Sequence, residues 1–317
     1  MTTLLPTHVE KTNIVYTTLG FDNKYVPCMG WLLGSLESYM RIHNNANGDF
    51  DFLVIVDRKL YPTVLKLLKD STYRFAIKYL IVEDSLTTMA ASINKLRIYE
   101  YPFIKQYKNI LFLDSDIIVT LDIHNILKTN LKDNLLYVYK EKDDLKEHSS
   151  MFWSLGTYTS SDHEYFKTHQ IYPFNAGCFM FANTQAMEAH FRLILEWIKD
   201  YKGPFFYEQS FMNVYFNKRR LVDYSVITNE NYLMFPDLSK MHDGKIIHFC
   251  GNPGNGSSKV VCMEKYVNDF LSFVSCSNPL GPFKPIKAEN VPEENHTLVS
   301  CKSNITSQSG PSKKYIL

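Results

Sequence analysis

Between Thr12 and Leu113 the chain alternates short, β-rich apolar runs with stretches of helical periodicity, and this alternation constrains the fold more than any other feature. Thr12–Thr18 reads as a strand. Met29–Met40 reads as a helix with Leu32, Leu33, Leu36 and Tyr39 on one side, and Phe50–Val56 as a second strand closed by Asp57. Pro62–Leu68 opens on a proline suited to a helix's first turn. Tyr73–Val82 reads as a strand, Met89–Tyr107 as a helix interrupted at Pro102, and Asn109–Leu113 as a further strand. This order predicts a mainly parallel sheet with helices on both faces, whose ligands sit beyond the carboxyl ends of the strands.

The second half is less regular. Leu135–Tyr139 reads as a strand, and the charged run Lys140–Glu147 as a solvated loop or helix face. Phe174–Phe181 encloses Asn175-Ala176-Gly177, Thr184–Tyr201 is an amphipathic helix, and Gln209–Phe216 is a second helix. Lys245–Phe249 is a short strand that runs into the turn-rich loop Cys250–Ser258, and Lys265–Phe273 is the last helix. Beyond Cys276 the chain is rich in Pro, Ser, Asn and Lys and lacks periodicity. The expectation is one α/β domain over residues 1–275 and a tail over 276–317 that wraps the domain or moves freely.

Composition narrows the function. With 317 residues, 45% of them hydrophobic, the chain can bury a large core. A net charge of +1 argues against a polyanion such as nucleic acid held by bulk charge. The six cysteines include no C-x-x-C pair, so they read as reduced thiols and not as a zinc site. No apolar run reaches the ~20 residues of a membrane helix. The N-terminus lacks a basic start followed by a long apolar stretch, and the chain reads as cytoplasmic. The sequons at Asn255, Asn295 and Asn304 are then unused.

The chemistry centres on Asp114-Ser115-Asp116, directly after the apolar strand. Two carboxylates one residue apart at a strand end reach one divalent cation, and hard oxygens suit Mg²⁺ or Mn²⁺. Such an ion binds the phosphates of a nucleotide diphosphate and stabilises the departing diphosphate. The plain alternative is an Asp turn or helix cap. A phosphatase of the haloacid dehalogenase type also carries Asp-x-Asp after a strand, but on its first strand, whereas here three strands precede it.

At this point the residues resemble the glycogenin-like retaining glycosyltransferases, glycosyltransferase family 8. The resemblance covers roughly Asn13 to Gly251. Its blocks, in the family's order, are Ile14–Tyr25 followed by Gly34-Ser35-Leu36, then Lys95–Ile98, Asp114-Ser115-Asp116, Asn175-Ala176-Gly177, Glu208-Gln209 with Asn213, and His248–Gly251. It implies the GT-A fold, a Rossmann-like mixed sheet flanked by helices. It also implies Mn²⁺, with Mg²⁺ as the alternative, a UDP-sugar donor, and a glycan, protein or small-molecule acceptor. A homodimer is among the assemblies it allows.

Residue by residue, the resemblance puts Leu19, Phe21, Asp22 and Tyr25 around the uridine, with Tyr25 stacked on the base. Lys95 approaches the donor phosphates or sugar, and Ser115 the ribose. Asp114, Asp116 and His248 hold the metal. Asn175, Ala176 and Gly177 line the sugar pocket, Gly251 belongs to the donor site, and Glu208 and Gln209 sit under the sugar's reacting face. The chain departs from the family in carrying Glu208 where Asp is usual, and Gly254 where a lysine grips the diphosphate. Lys259 is the substitute in reach if the preceding loop folds back. Two rival readings stand beside this one: a non-catalytic nucleotide-sugar or glycan binding protein, favoured by the missing lysine, and a sugar nucleotidyltransferase, which also binds nucleotides and metal but normally carries a glycine-rich loop near its N-terminus, where Leu19–Tyr25 has only Gly20.

Overall fold

The computed structural model describes residues 12–43, 49–69, 71–141, 160–201, 207–250 and 258–277. Seven strands form one sheet in the order β3-β2-β1-β4-β7-β6-β8. Their ranges are β1 Asn13–Leu19, β2 Phe50–Asp57, β3 Ile77–Val82, β4 Asn109–Leu113, β6 Leu136–Lys140, β7 Phe174–Ala182 and β8 Val222–Asp223. Strands β3, β2, β1 and β4 are mutually parallel, as the alternating pattern predicts. Strand β7 is antiparallel to both β4 and β6, so the complete sheet is mixed. Every residue of β2 and of β4 is buried, as expected of continuous apolar strands covered on both faces.

A second sheet joins three short strands, of which the sequence reading gave one, within Lys245–Phe249. It runs β5-β10-β9, with β5 Ile117–Val119, β9 Tyr232–Met234 and β10 Ile246–His248. It packs through the helix Val26–Ile42, where Ser35 Oγ accepts the Val119 N–H at 3.0 Å.

Two readings need correction. The pattern over Met89–Tyr107 is not one helix but an α-helical turn at Thr88–Ile93 followed by 3₁₀ turns at Asn94–Glu100 and Ile104–Gln106. The Tyr16 hydroxyl donates to the Lys95 carbonyl at 2.8 Å, so that carbonyl serves a tertiary contact instead of a regular helix. The charged run from Lys140 is not wholly solvated either: Glu141 is buried. A register shift between Val138 and Tyr139 turns the strand end, and the Glu141 N–H donates to the Pro173 carbonyl at 3.0 Å. Residues 142–147 of that run lie outside the described residues.

Smaller differences concern element ends. Residues 73–76 do not join β3, and the last helix starts earlier than its periodicity suggested, spanning Lys259–Ser277. Of the tail read over 276–317, the described residues are Cys276 and Ser277, which end that helix. Cys28, Cys178, Cys250 and Cys262 are free thiols. Among the described residues, no helix is long and apolar enough to cross a membrane.

Asp57, read from sequence as a strand terminator, ties the loops at the carboxyl edge together. Its Oδ2 accepts the Phe21 N–H at 2.7 Å and the Ser85 N–H at 2.9 Å, and its Oδ1 accepts the Ser85 hydroxyl at 3.0 Å and Asn94 Nδ2 at 3.3 Å. Gly20 fits beneath because a side chain there would meet Ala91 Cβ at 2.7 Å. Asp57→Ala should therefore destabilise the fold by about 2–4 kcal/mol, because several buried donors lose their acceptor at once. Urea unfolding measures this, and a loss below about 0.5 kcal/mol would contradict it.

Candidate active site

The strand order reverses between β1 and β4, and a cavity of about 600 Å³ opens beyond their carboxyl ends. This is where an open α/β sheet presents a ligand crevice, and the volume suits a small organic ligand. Thr18, Leu19, Gly20 and Tyr25 line one side, and Asp114, Ser115 and Asp116 form the floor.

Pairing between strands brings distant blocks together. Leu113 of β4 faces Cys178 of β7, and the next rung is the Asp114 N–H donating to the Gly177 carbonyl at 2.8 Å. The Asn175–Gly177 block is thus laid beside the Asp pair. A Cβ on Gly177 would collide with His248 Cε1 and lie 2.8 Å from Asp114 Oδ2, so only glycine leaves room for both. In the small sheet, His248 of β10 faces Ile117 of β5, and the Phe249 N–H donates to the Asp116 carbonyl at 3.0 Å. The His248 ring consequently stands over both carboxylates, with Nε2 3.3 Å from Asp116 Oδ1 and 3.7 Å from Asp114 Oδ2.

These three side chains are the one cluster among the described residues that could hold a metal ion, each offering an atom within 4.8 Å of the others. Two carboxylates and an imidazole are a donor set suited to a divalent ion such as Mn²⁺. The surrounding hydrogen bonds orient the imidazole for this. The Tyr232 hydroxyl donates to Asn175 Oδ1 at 3.3 Å and lies 2.7 Å from His248 Nδ1. A ring protonated at Nδ1 would donate to the Tyr232 oxygen and leave the Nε2 lone pair facing the aspartates. The Asn175 amide is itself oriented, since Oδ1 also accepts the Gly177 N–H at 2.8 Å and Nδ2 donates to Glu141 at 3.3 Å.

Two lysines complete the charge pattern. Lys95 is buried and donates to Asp114 Oδ1 at 3.2 Å and to the Ala176 carbonyl at 3.1 Å, with its ammonium 2.7 Å from Glu208 Oε1. Burial pulls its pKa down, but Asp114 and Glu208 outweigh this and raise it. Lys259, on the first turn of the last helix, approaches Asp116 Oδ2 to 2.6 Å. Burial pushes the Asp116 carboxyl up, yet Lys259 and His248 together hold it well below the usual range.

Glu208 and Gln209 enter on the first turn of the helix Tyr207–Lys218. Gln209 Oε1 accepts the Ala176 N–H at 2.9 Å, which fixes the helix against β7. Glu208 is buried, and its Oε2 has no hydrogen-bond partner among the described residues. A buried, unpaired carboxylate oxygen at a cavity wall is costly unless a ligand group meets it.

Not every expected residue reaches the cavity wall. Phe21 and Asp22 stand beside it: Phe21 has φ +65° with a partly exposed ring, and Asp22 accepts from the Lys24 N–H at 3.0 Å and pairs with the Lys24 ammonium at 2.8 Å. Ala176 contributes its backbone, which is shared between Lys95 and Gln209. Gly251 lies outside the described residues. Conversely, the cavity holds Glu141, Tyr207 and Phe235, which sequence reasoning passed over. Burial pushes the Glu141 carboxyl up to about 7. Tyr207 and Phe235 both have left-handed backbones, φ +52° and +53°, an uncommon conformation for aromatic residues that concentrates at ligand sites. None of these carries a local sequence signal; the charge run hid Glu141, and the strained φ values appear only in three dimensions.

Comparison with known proteins gives the family and the fold. Residues 16–253 match the Glycosyl transferase family 8 description. No curated protein matches the sequence. Among solved structures, the fold is similar to that of the WbbM bifunctional glycosyltransferase, with TM-score 0.53 and 20% identity over 83% of this chain. The match spans 50% of the WbbM chain. It is similar also to the galactosyltransferase LgtC, solved with donor and acceptor sugar analogs, with TM-score 0.56 and 17% identity over 86% of this chain and 98% of that one. Matched over most of its length and sharing its sheet with two sugar transferases, the chain belongs to glycosyltransferase family 8 and has the GT-A fold.

Proposed function

We propose that this chain transfers a hexose or similar sugar, with retention at the anomeric carbon, from a UDP-sugar to a hydroxyl of a glycan, a protein or a small molecule. The observation that carries the reading is the convergence of Asp114, Asp116 and His248 at one end of a cavity whose other charged groups are Lys95, Lys259, Glu141 and Glu208. A Mn²⁺ ion held by the first three, or Mg²⁺ in its place, would neutralise the donor's phosphates and stabilise the departing diphosphate.

The chain's own residues then divide the work. Leu19 and Tyr25 receive the uridine, with the Tyr25 ring as stacking platform, while Phe21 and Asp22 shape that loop from outside. Ser115 meets the ribose. Lys95 places a fixed positive charge between Asp114 and the sugar, and Lys259 supplies the diphosphate contact that Gly254 cannot make. Asn175, Gly177 and the backbone of Ala176 border the sugar. Glu208 Oε2 and Gln209 face the reacting carbon from below, where negative charge stabilises an oxocarbenium-like state. Glu141, Tyr207 and Phe235 remain for the acceptor. LgtC, with which the fold is shared, was solved holding donor and acceptor sugar analogs together, and the same two-substrate use is proposed here.

Incubation with Mn²⁺ and, in turn, UDP-glucose, UDP-galactose, UDP-xylose and UDP-N-acetylglucosamine tests the proposal. At least one donor should release UDP slowly to water, and EDTA should stop it. Absence of UDP release from every donor, with UDP binding intact, would favour a binding protein. Intact mass after the same incubations shows whether the chain modifies itself.

A further inference from the structure

Each of the two aspartates already has one oxygen engaged by a lysine: Asp114 Oδ1 by Lys95 at 3.2 Å and Asp116 Oδ2 by Lys259 at 2.6 Å. The two lysines are held very differently. The Lys95 side chain is 4% exposed, projects from a 3₁₀ turn in the core, and is shared between Asp114, Glu208 and a backbone carbonyl. The Lys259 side chain is 27% exposed, and among the described residues Asp116 is its one ion-pair partner. Its ammonium also lies over the Tyr25 ring, 5.2 Å from the centroid. Lys95 is therefore a fixed charge and Lys259 an exchangeable one.

A divalent ion among Asp114, Asp116 and His248 would sit within a few ångströms of both ammonium groups. Like charges at that distance in a partly buried site repel strongly. Lys95 has Glu208 to retain it. Beyond Asp116, the carboxylate that acts on Lys259 is Asp114, which the ion would also take up, so the lysine gains a new anionic partner when phosphates arrive.

We propose that Lys259 is the counter-ion that Asp116 keeps in the free protein and surrenders to the metal when a nucleoside diphosphate is present to receive the lysine. The inference rests on the UDP-sugar reading above and adds a consequence for binding order. The metal alone binds poorly, because it must displace or crowd the ammonium. With the diphosphate present, the same ammonium becomes an attractive contact. Metal and nucleotide thus favour one another by more than their direct contact supplies, and by linkage the coupling is the same whichever binds first.

Isothermal titration of the full chain measures this in three legs: Mn²⁺ alone, UDP alone, and UDP at saturating Mn²⁺. The wild type should bind Mn²⁺ weakly alone and more tightly with UDP. Lys259→Gln, which removes the charge and keeps a polar side chain one atom shorter, should bind Mn²⁺ alone about tenfold more tightly and UDP with Mn²⁺ about tenfold more weakly, and so lose most of the coupling. Lys259→Ala should behave alike, and matched thermal unfolding of both variants shows that the fold is kept. If Mn²⁺ affinity without UDP is unchanged or weaker in both variants, Lys259 merely orients Asp116 and the inference is overturned. If the wild type binds no UDP even with Mn²⁺, the transferase reading fails and takes this inference with it.

Discussion

Asp116→Ala should abolish Mn²⁺ binding as read by titration and lower sugar transfer by about a thousandfold or more. The expectation rests on what Asp116 alone supplies. Its Oδ1 lies 3.3 Å from His248 Nε2, and its side chain is 6% exposed. With it removed, the proposed metal site keeps one carboxylate and one imidazole, too few protein ligands to hold the ion against solvent. The fold should survive, because the rung from the Phe249 N–H to the Asp116 carbonyl uses backbone atoms alone. A folded Asp116→Ala protein that transfers sugar at the full rate would rule this site out.

Glu208→Gln should leave Mn²⁺ and UDP affinities within a few-fold of wild type while kcat falls by about 10²–10⁴-fold. The substitution preserves shape and burial, so the change isolates charge. Glu208 carries two distinct duties. Oε1 holds the Lys95 ammonium at 2.7 Å, and Oε2 is the buried oxygen left without a partner. In the proposed reaction the first would position Lys95 beside the donor, and the second would offer negative charge where positive charge develops. Gln209 keeps its bond to the Ala176 N–H in the variant, so the helix should stay docked. Steady-state kinetics with the donor that shows turnover, together with UDP titration, separates the outcomes. A rise in KM with kcat unchanged would demote Glu208 to a residue of donor binding.

The sequence by itself determined the parallel half of the sheet, because β1, β2 and β4 are apolar runs whose burial on both faces leaves one solution. It determined too that carboxylates would stand at the end of β4, since Asp114 and Asp116 follow that strand directly, and the family's blocks in order pointed to His248. Only the tertiary structure decided that these groups meet. The approach of His248 depends on how its strand, legible in the sequence, pairs in the three-stranded sheet, and on a glycine at 177 placed opposite by strand pairing. Asp57 as a knot between loops, Glu141 as a buried acid and Lys259 as the partner of Asp116 were likewise invisible. Each depends on contacts between residues far apart in the chain, and periodicity reports only what neighbours along it have in common.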